Sequence, residues 1–276
     1  MQILNLTNIE KSDIKYSISR FPDGEIQITL EEFSRKDEVN VKCRITSTED
    51  LFILMQVSDI LVRHGMHFNI YIYYLMGMRM DRVMDFNRPF TLKIIVNILD
   101  NLGASSIGIF CPHSKVTADL FKKTGIVLLY PSNWGEEEKY FLDECQIVVP
   151  DAGAAKRYFN NIVPTDVIVG EKVRDIKTGK ILSIKAKNPE AIDGRWPLVI
   201  LDDLCDGGGT FVGLAAAIRE THPGIPINIA VCHMVNPKGI ENLSKNFNHV
   251  YFTNSYKDWD NYSLTLPQNV TQINVI

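Results

Sequence analysis

The 276-residue chain has no long apolar run, no excess of basic residues, no closely paired cysteines and no low-complexity tract. Each lack closes off a class of protein. No apolar stretch approaches the ~20 residues that a membrane helix needs, and residues 1–13 hold no basic region followed by an apolar one. A soluble, cytoplasmic protein without a membrane partner is expected. With 29 Lys and Arg against 33 Asp and Glu, the net charge of -4 argues against a nucleic-acid partner. The five cysteines, Cys43, Cys111, Cys145, Cys205 and Cys232, are odd in number and widely spaced. That pattern fits a reducing compartment better than a disulfide framework or a zinc ribbon.

What is present is an alternation of short apolar strands and amphipathic helices. Strands are expected over 3–6, 26–30, 39–43, 69–74, 106–111, 147–149, 165–169, 198–201, 228–235 and 250–254, with helices over 50–64, 90–102, 154–160, 213–220 and 239–246. The order implies an α/β protein with right-handed crossovers and mostly parallel sheets. The plan repeats after residues 131–140, so two α/β units fit better than one sheet. Residues 175–192, polar and lysine-containing, suggest a hairpin or a mobile loop.

One stretch organises the rest. The apolar run Leu198-Val199-Ile200-Leu201 stops at Asp202 and Asp203, continues through Asp206, Gly207, Gly208, Gly209 and Thr210, and then becomes an Ala/Leu/Ile-rich helical segment. Glycines allow positive φ and close approach of backbone N–H groups, and the following helix directs its positive end to the same place, so a phosphate suits the loop. Two short carboxylates at a strand end suit the vicinal hydroxyls of a ribose. No Gly-Lys-Ser/Thr follows the glycines, which excludes a Walker loop. The same residues would equally make a plain glycine-rich turn capped by Thr210.

Further segments stand in series with this one: Phe21-Pro22-Asp23-Gly24-Glu25, Arg79-Met80-Asp81-Arg82 before Arg88-Pro89, Cys111-Pro112-His113-Ser114, and Pro150-Asp151-Ala152-Gly153 with Lys156-Arg157. In this order they resemble the ribose-phosphate pyrophosphokinases, or PRPP synthetases. The loop alone also resembles type I phosphoribosyltransferases. The resemblance implies two consecutive type I phosphoribosyltransferase-like domains, each a mostly parallel sheet flanked by helices. The first would span 1–135 on the ATP side and the second 136–276 on the ribose-phosphate side, with the last ~10 residues returning to the first.

By the same resemblance, Phe21, Asp23 and Glu25 belong to a hairpin that holds the adenine of ATP in a neighbouring subunit, so a homo-oligomer, dimer to hexamer, is implied. Arg79, Asp81 and His113 match ATP-binding residues, and His113 and Asp151 lie near the magnesium that accompanies ATP. Lys172, Arg174 and His113 match catalytic residues, and Asp202, Asp203, Asp206, Gly207, Gly208, Gly209 and Thr210 match the ribose and phosphate site. The implied reaction is attack of the anomeric hydroxyl of ribose 5-phosphate on the β-phosphorus of Mg-ATP, with AMP leaving. Positioning and charge neutralisation suffice for such chemistry.

The chain departs from the family pattern in three places. Gly207 and Gly208 stand where the loop usually carries a threonine and another side chain, Cys111 where Asp is common, and Met80 where Gln is usual. The chain is also short. In its compactness it resembles phage-encoded relatives that use ADP-ribose as acceptor during NAD resynthesis, and the glycines would make room for the extra nucleotide. A phosphoribosyltransferase would share residues 202–210 but has no use for Phe21, Glu25, Arg79 and His113. A non-catalytic regulatory subunit would be expected to lose Lys172, Arg174, His113 and Asp151, all of which are present.

Overall fold

The structure is a computed structural model that describes residues 1–129, 144–159, 163–174, 181–260 and 265–276, without the side chains of 173, 174 and 181–183. It divides into two compact units, Met1–Tyr130 with Ile276, and Pro131–Val275. The boundary expected at 135/136 falls outside the described residues.

In the first unit, β1 (Gln2–Asn5), β4 (Val39–Ile45), β5 (Phe68–Leu75), β6 (Ser106–Phe110) and β7 (Gly125–Leu129) form a parallel sheet in the order β1-β4-β5-β6-β7. Strand β4 shows why: Val39, Val41, Cys43 and Ile45 alternate with polar residues and are all buried. Helix α1 (Thr48–Arg63) starts at a capping box, in which Ser47 and Asp50 each bond the other's backbone. It buries Leu51, Leu54, Val57 and Leu61 along one face. Strands β2 (Tyr16–Arg20) and β3 (Ile26–Leu30) make a separate antiparallel hairpin lying on α1. Helices α2 (Thr91–Leu99) and α3 (Val116–Leu120) complete the described elements of this unit.

In the second unit the sheet order is β10-β9-β8-β11-β12-β13-β14. Its strands are β8 (Gln146–Val149), β9 (Ile168–Arg174), β10 (Ile181–Ala186), β11 (Leu198–Cys205), β12 (Ile227–Met234), β13 (Val250–Thr253) and β14 (Val270–Ile273). All neighbours pair in parallel except β9 with β10; only the second strand of this hairpin falls within 175–192, where a hairpin or a mobile loop was expected, and its turn lies outside the described residues. Helices α4 (Ala152–Phe159), α5 (Gly209–Thr221) and α6 (Pro237–Asn246) connect them. Strand β11 is central and buried nearly throughout, as expected of a strand covered on both faces.

Several expectations are corrected. Strand β11 does not stop at the carboxylates but carries Asp202 and Asp203 inside it and ends at Cys205. Pairing with β12 runs on to Met234, and this tertiary register outweighs the strand-breaking character of Asp. Thr210 is not the cap of α5: that place is taken by Gly208 in the left-handed region, φ 77°, with no side-chain cap. Strands β2, β7 and β14 were not expected; each is short and four or five residues long, with too little alternation to register. Strand β14 pairs with β13, so the chain from Val270 to Ile273 belongs to the second sheet, while Ile276 groups with the first unit.

Gly170 illustrates how closely β9 is packed. A Cβ at this position would stand 2.5 Å from the Pro150 carbonyl oxygen, a backbone atom that has no freedom to move aside. Gly170→Ala is expected to cost about 1–3 kcal/mol of folding stability by overpacking, measured as a lowered urea midpoint at unchanged slope. A midpoint equal to that of the parent chain would contradict this packing.

Candidate functional site

The C-terminal end of β11 carries the densest cluster of charge in the second unit. Asp203 and Arg157 are almost wholly buried, with side chains 2% and 7% exposed, and Asp202 is 17% exposed. A single guanidinium nitrogen, Arg157 Nη1, lies 2.8 Å from Asp202 Oδ1 and 2.8 Å from Asp203 Oδ1. Asp202 Oδ1 also accepts the Asp203 N–H at 2.9 Å. Burial pushes the Asp202 carboxyl well above the usual carboxylate range, the Asp203 charge pushes it further, and Arg157 opposes both. For Arg157 the sign is reversed: burial lowers its pKa, and Asp203 and Asp202 more than offset that. Arg157 sits on α4, six residues after Asp151, and the family resemblance gave it no task. Its sequence signal was its place beside Lys156 in the segment that follows the Pro150–Gly153 turn and shares in the family resemblance.

Beyond the pair, the glycine loop opens onto α5. Of its three glycines only Gly208 has a positive φ. A Cβ on Gly208 would approach Leu243 at 3.1 Å, whereas no heavy atom lies within 4 Å of a Cβ built on Gly207 or Gly209. The loop is therefore closed beneath Gly208 and open at the other two. Asp206 is exposed, and its Oδ1 accepts a hydrogen bond from Asn236 at 2.9 Å.

A second charged pair lies on β9 and the start of α4. Lys172 Nζ makes an ion pair with Asp151 Oδ2, and Asp151 Oδ1 accepts the Ala154 N–H at 3.0 Å. Burial raises the Asp151 carboxyl, but the Lys172 hydrogen bond and the Ala154 and Gly153 amides outweigh it and hold the group below its ordinary value. Two residues assigned to separate tasks, metal and catalysis, are thus brought together. Arg174 ends β9, and its side chain lies outside the described residues.

In the first unit, the β2–β3 turn is closed by Phe21 N–H to Glu25 O at 2.8 Å and Gly24 N–H to Phe21 O at 2.9 Å, with Gly24 at φ 96°. Asp23 Oδ1 accepts the Glu25 N–H at 3.1 Å, which engages one carboxylate oxygen in the turn and leaves Phe21 half exposed. Arg20 bonds Gly24 O and Glu49, and Gln56 bonds Ile26 O and Ile28 N–H, fastening the hairpin to α1. Phe21, Glu25, Phe52, Met55 and Gln56 line a groove of about 950 Å³ between them. Arg79 is exposed, but Asp81 is buried beside Arg82, 3.4 Å away. His113 is half-buried in the turn after β6, where Cys111 is the non-glycine residue with positive φ, 48°.

Magnesium finds limited protein ligands. Among the described residues no group of three or more His, Cys, Asp or Glu could hold a metal. Magnesium prefers oxygen ligands and keeps several waters, so a polyphosphate supplies more of its coordination than a side chain does. Ser114 Oγ and Thr117 Oγ1, in the turn that follows His113, are buried without a hydrogen-bond partner. Unmet hydroxyls of this kind cost about 1–3 kcal/mol each.

No family model matches the chain. It is 27% identical over 218 residues to the ribose-phosphate pyrophosphokinase of Bacillus caldolyticus and 26% identical over 217 residues to that of Staphylococcus saprophyticus, 75% of this chain in each case. It spans 66% of the length of either relative. The crystal structure of phosphoribosylpyrophosphate synthetase from Mycobacterium smegmatis superposes with a TM-score of 0.77 at 18% identity, covering 100% of this chain and 95% of that one. The α/β fold, with parallel sheets flanked by helices, is thereby shared with that structure.

The raised pKa of Asp202 has a definite consequence for stability. The folded state holds this proton to higher pH than the unfolded chain, so stability falls as pH rises from the unfolded value near 3.9 through the folded one. Asp202→Asn removes that loss and retains the Arg157–Asp203 pair. Its melting temperature at pH 7 is expected to exceed that of the parent, with the difference vanishing toward pH 4. A lower melting temperature at pH 7 would show that Asp202 stabilises the fold.

Proposed function

We propose that the chain, a relative of the ribose-phosphate pyrophosphokinases, transfers the β,γ-diphosphate of Mg-ATP to the anomeric hydroxyl of ribose 5-phosphate, giving 5-phosphoribosyl 1-diphosphate and AMP. The observation that carries this reading is the pairing of two buried carboxylates with an open glycine loop at one strand end. Asp202 and Asp203 accept hydrogen bonds from the ribose diol, and the Gly207–Thr210 amides at the start of α5 receive the 5′-phosphate. The C1 hydroxyl oxygen then forms a bond to the β-phosphorus, the bond from that phosphorus to the α,β-bridging oxygen breaks, and the hydroxyl proton passes to solvent. Lys172 and Arg174 stabilise the charge that builds on the bridging oxygen, and Asp151 anchors Lys172. Magnesium, when bound, neutralises phosphate charge, with His113 and Asp151 as its protein contacts.

Phe21, Asp23, Glu25, Arg79, Asp81 and His113 serve ATP in this reading. The half-exposed Phe21 offers an aromatic face for adenine. The hairpin acts on a neighbouring copy, in a homo-oligomer of two to six chains acting in the cytoplasm. Asp81, being buried, supports the loop through Arg82 more than it reaches outward.

A second acceptor is favoured by one observation. The space beside Gly207 and Gly209 is unfilled, which suits a phosphate that carries a further group, as in ADP-ribose giving ADP-ribose pyrophosphate in NAD resynthesis. AMP release measured with each acceptor separates the two. Saturable release with ribose 5-phosphate is expected, and release with ADP-ribose alone would replace the first reading by the second. Absence of AMP with either would leave a nucleotide-binding scaffold, and nucleotide formation from base and 5-phosphoribosyl 1-diphosphate without ATP would mark a phosphoribosyltransferase.

Lys172→Ala is expected to lower kcat by about 10²-fold while leaving the KM for ATP within about threefold, because its charge acts on the transition state. A normal kcat would remove Lys172 from the mechanism. Gly207→Ala places a methyl group in open space, so it should fold normally and raise the KM for ADP-ribose more than that for ribose 5-phosphate.

A further inference from the structure

The glycine loop follows β11 and leads into α5, yet the side chains that grip it come from α6. Asn242 Nδ2 donates to the Gly207 carbonyl at 2.7 Å, and Asn236 Nδ2 donates to Asp206 Oδ1 at 2.9 Å. Gly239 lets the two backbones touch: a Cβ there would stand 2.2 Å from the Asp206 carbonyl oxygen, 3.0 Å from Cys205 Sγ and 3.1 Å from Met234 Sδ. Leu243 lies beneath Gly208. The Cys205 thiol, buried and pushed up to about 12 by its burial, completes this floor as a neutral group.

Three successive glycines make the most conformationally free segment a chain can hold, and ordering such a segment when the ligand arrives would subtract from affinity. Two side-chain amides and one close backbone contact remove that freedom in advance, on residues 206 and 207. Asn236 is doubly engaged, because its Oδ1 caps α6 through the Lys238 N–H at 3.0 Å while its Nδ2 holds Asp206.

We propose that Asn236 and Asn242 are positioning residues for the acceptor: through α6 they pre-set the glycine loop that receives the phosphate of the phosphorylated ribose. This deepens the function proposed above and rests on it for the identity of the ligand.

The two engagements of Asn236 can be separated. Asn236→Asp keeps an oxygen at the helix cap but replaces the donor by a carboxylate facing Asp206, and Asn242→Asp likewise replaces the donor to Gly207 O. Asn246→Asp, one turn further along α6, makes the same change of charge at a side chain that bonds only its own helix, at Asn242 O. Two readouts apply to the full chain. With ribose 5-phosphate and with ADP-ribose as probes, the acceptor KM should rise about tenfold or more in the first two variants, with kcat and the KM for ATP within about twofold and Asn246→Asp unchanged. Without any ligand, amide hydrogen exchange across 206–210 should quicken in the first two variants alone.

An unchanged acceptor KM together with unchanged exchange would overturn the assignment, as would an equal effect in Asn246→Asp. If the parent chain releases no AMP with either probe, the proposed function fails, and the exchange measurement then decides the loop assignment alone. Faster exchange sustains it, and unchanged exchange removes it.

Discussion

Two adjacent carboxylates buried at the end of the central strand are costly, and the second unit is arranged so that one guanidinium makes them tolerable. Burial of Asp202, together with the charge of Asp203, favours its protonation, and Arg157 opposes this without reversing it. Arg157 lies in contact with both and is itself almost inaccessible to water, so its attraction is little screened. The position of α4 against β11 follows from this contact as much as from its alanines, Ala154 and Ala155, which are buried.

Among the described residues of this unit, glycine serves close approach as well as turns. Gly170 brings β9 against Pro150 and sets Lys172 within reach of Asp151, while Gly239 brings α6 against Asp206. In both cases the missing side chain lies at a crossing of two backbones, and the functional group stands one or two residues away. The strand ends therefore gain their precision from neighbours that are remote in sequence. The hairpin of the first unit follows the same logic in a looser form: Arg20 and Gln56 fasten it to α1, leaving the Phe21 ring half exposed.

Much of the architecture was visible in the chain itself. The alternation in Val39–Cys43, the apolar spacing of α1 and the unbroken apolar run at Leu198 each answer to a local rule, since burial on one face or two leaves its period in the sequence. Elements with weak periods, β2, β7 and β14, were not legible. Their place in a sheet comes from pairing with strands already formed, and such pairing selects backbone more than side chain. Among the candidate site residues, Asp202, Asp203 and the glycines were singled out by type and spacing, and His113 and Lys172 by the family resemblance.

By itself the sequence determined the class of the protein: α/β alternation, two repeated units, an apolar strand leading to paired carboxylates and glycines, and an ordered set of segments like those of pyrophosphokinases. The tertiary structure alone decided that Arg157 bridges the two carboxylates, that Asp151 holds Lys172, and that Asn236, Gly239 and Asn242 form the floor of the loop. The physical reason is range. Periodicity and turn chemistry act between residues a few positions apart, whereas a buried charge or an unsupported loop is satisfied by whatever the folded chain brings alongside it, 30 or 35 residues away in the case of Asn236 and Asn242.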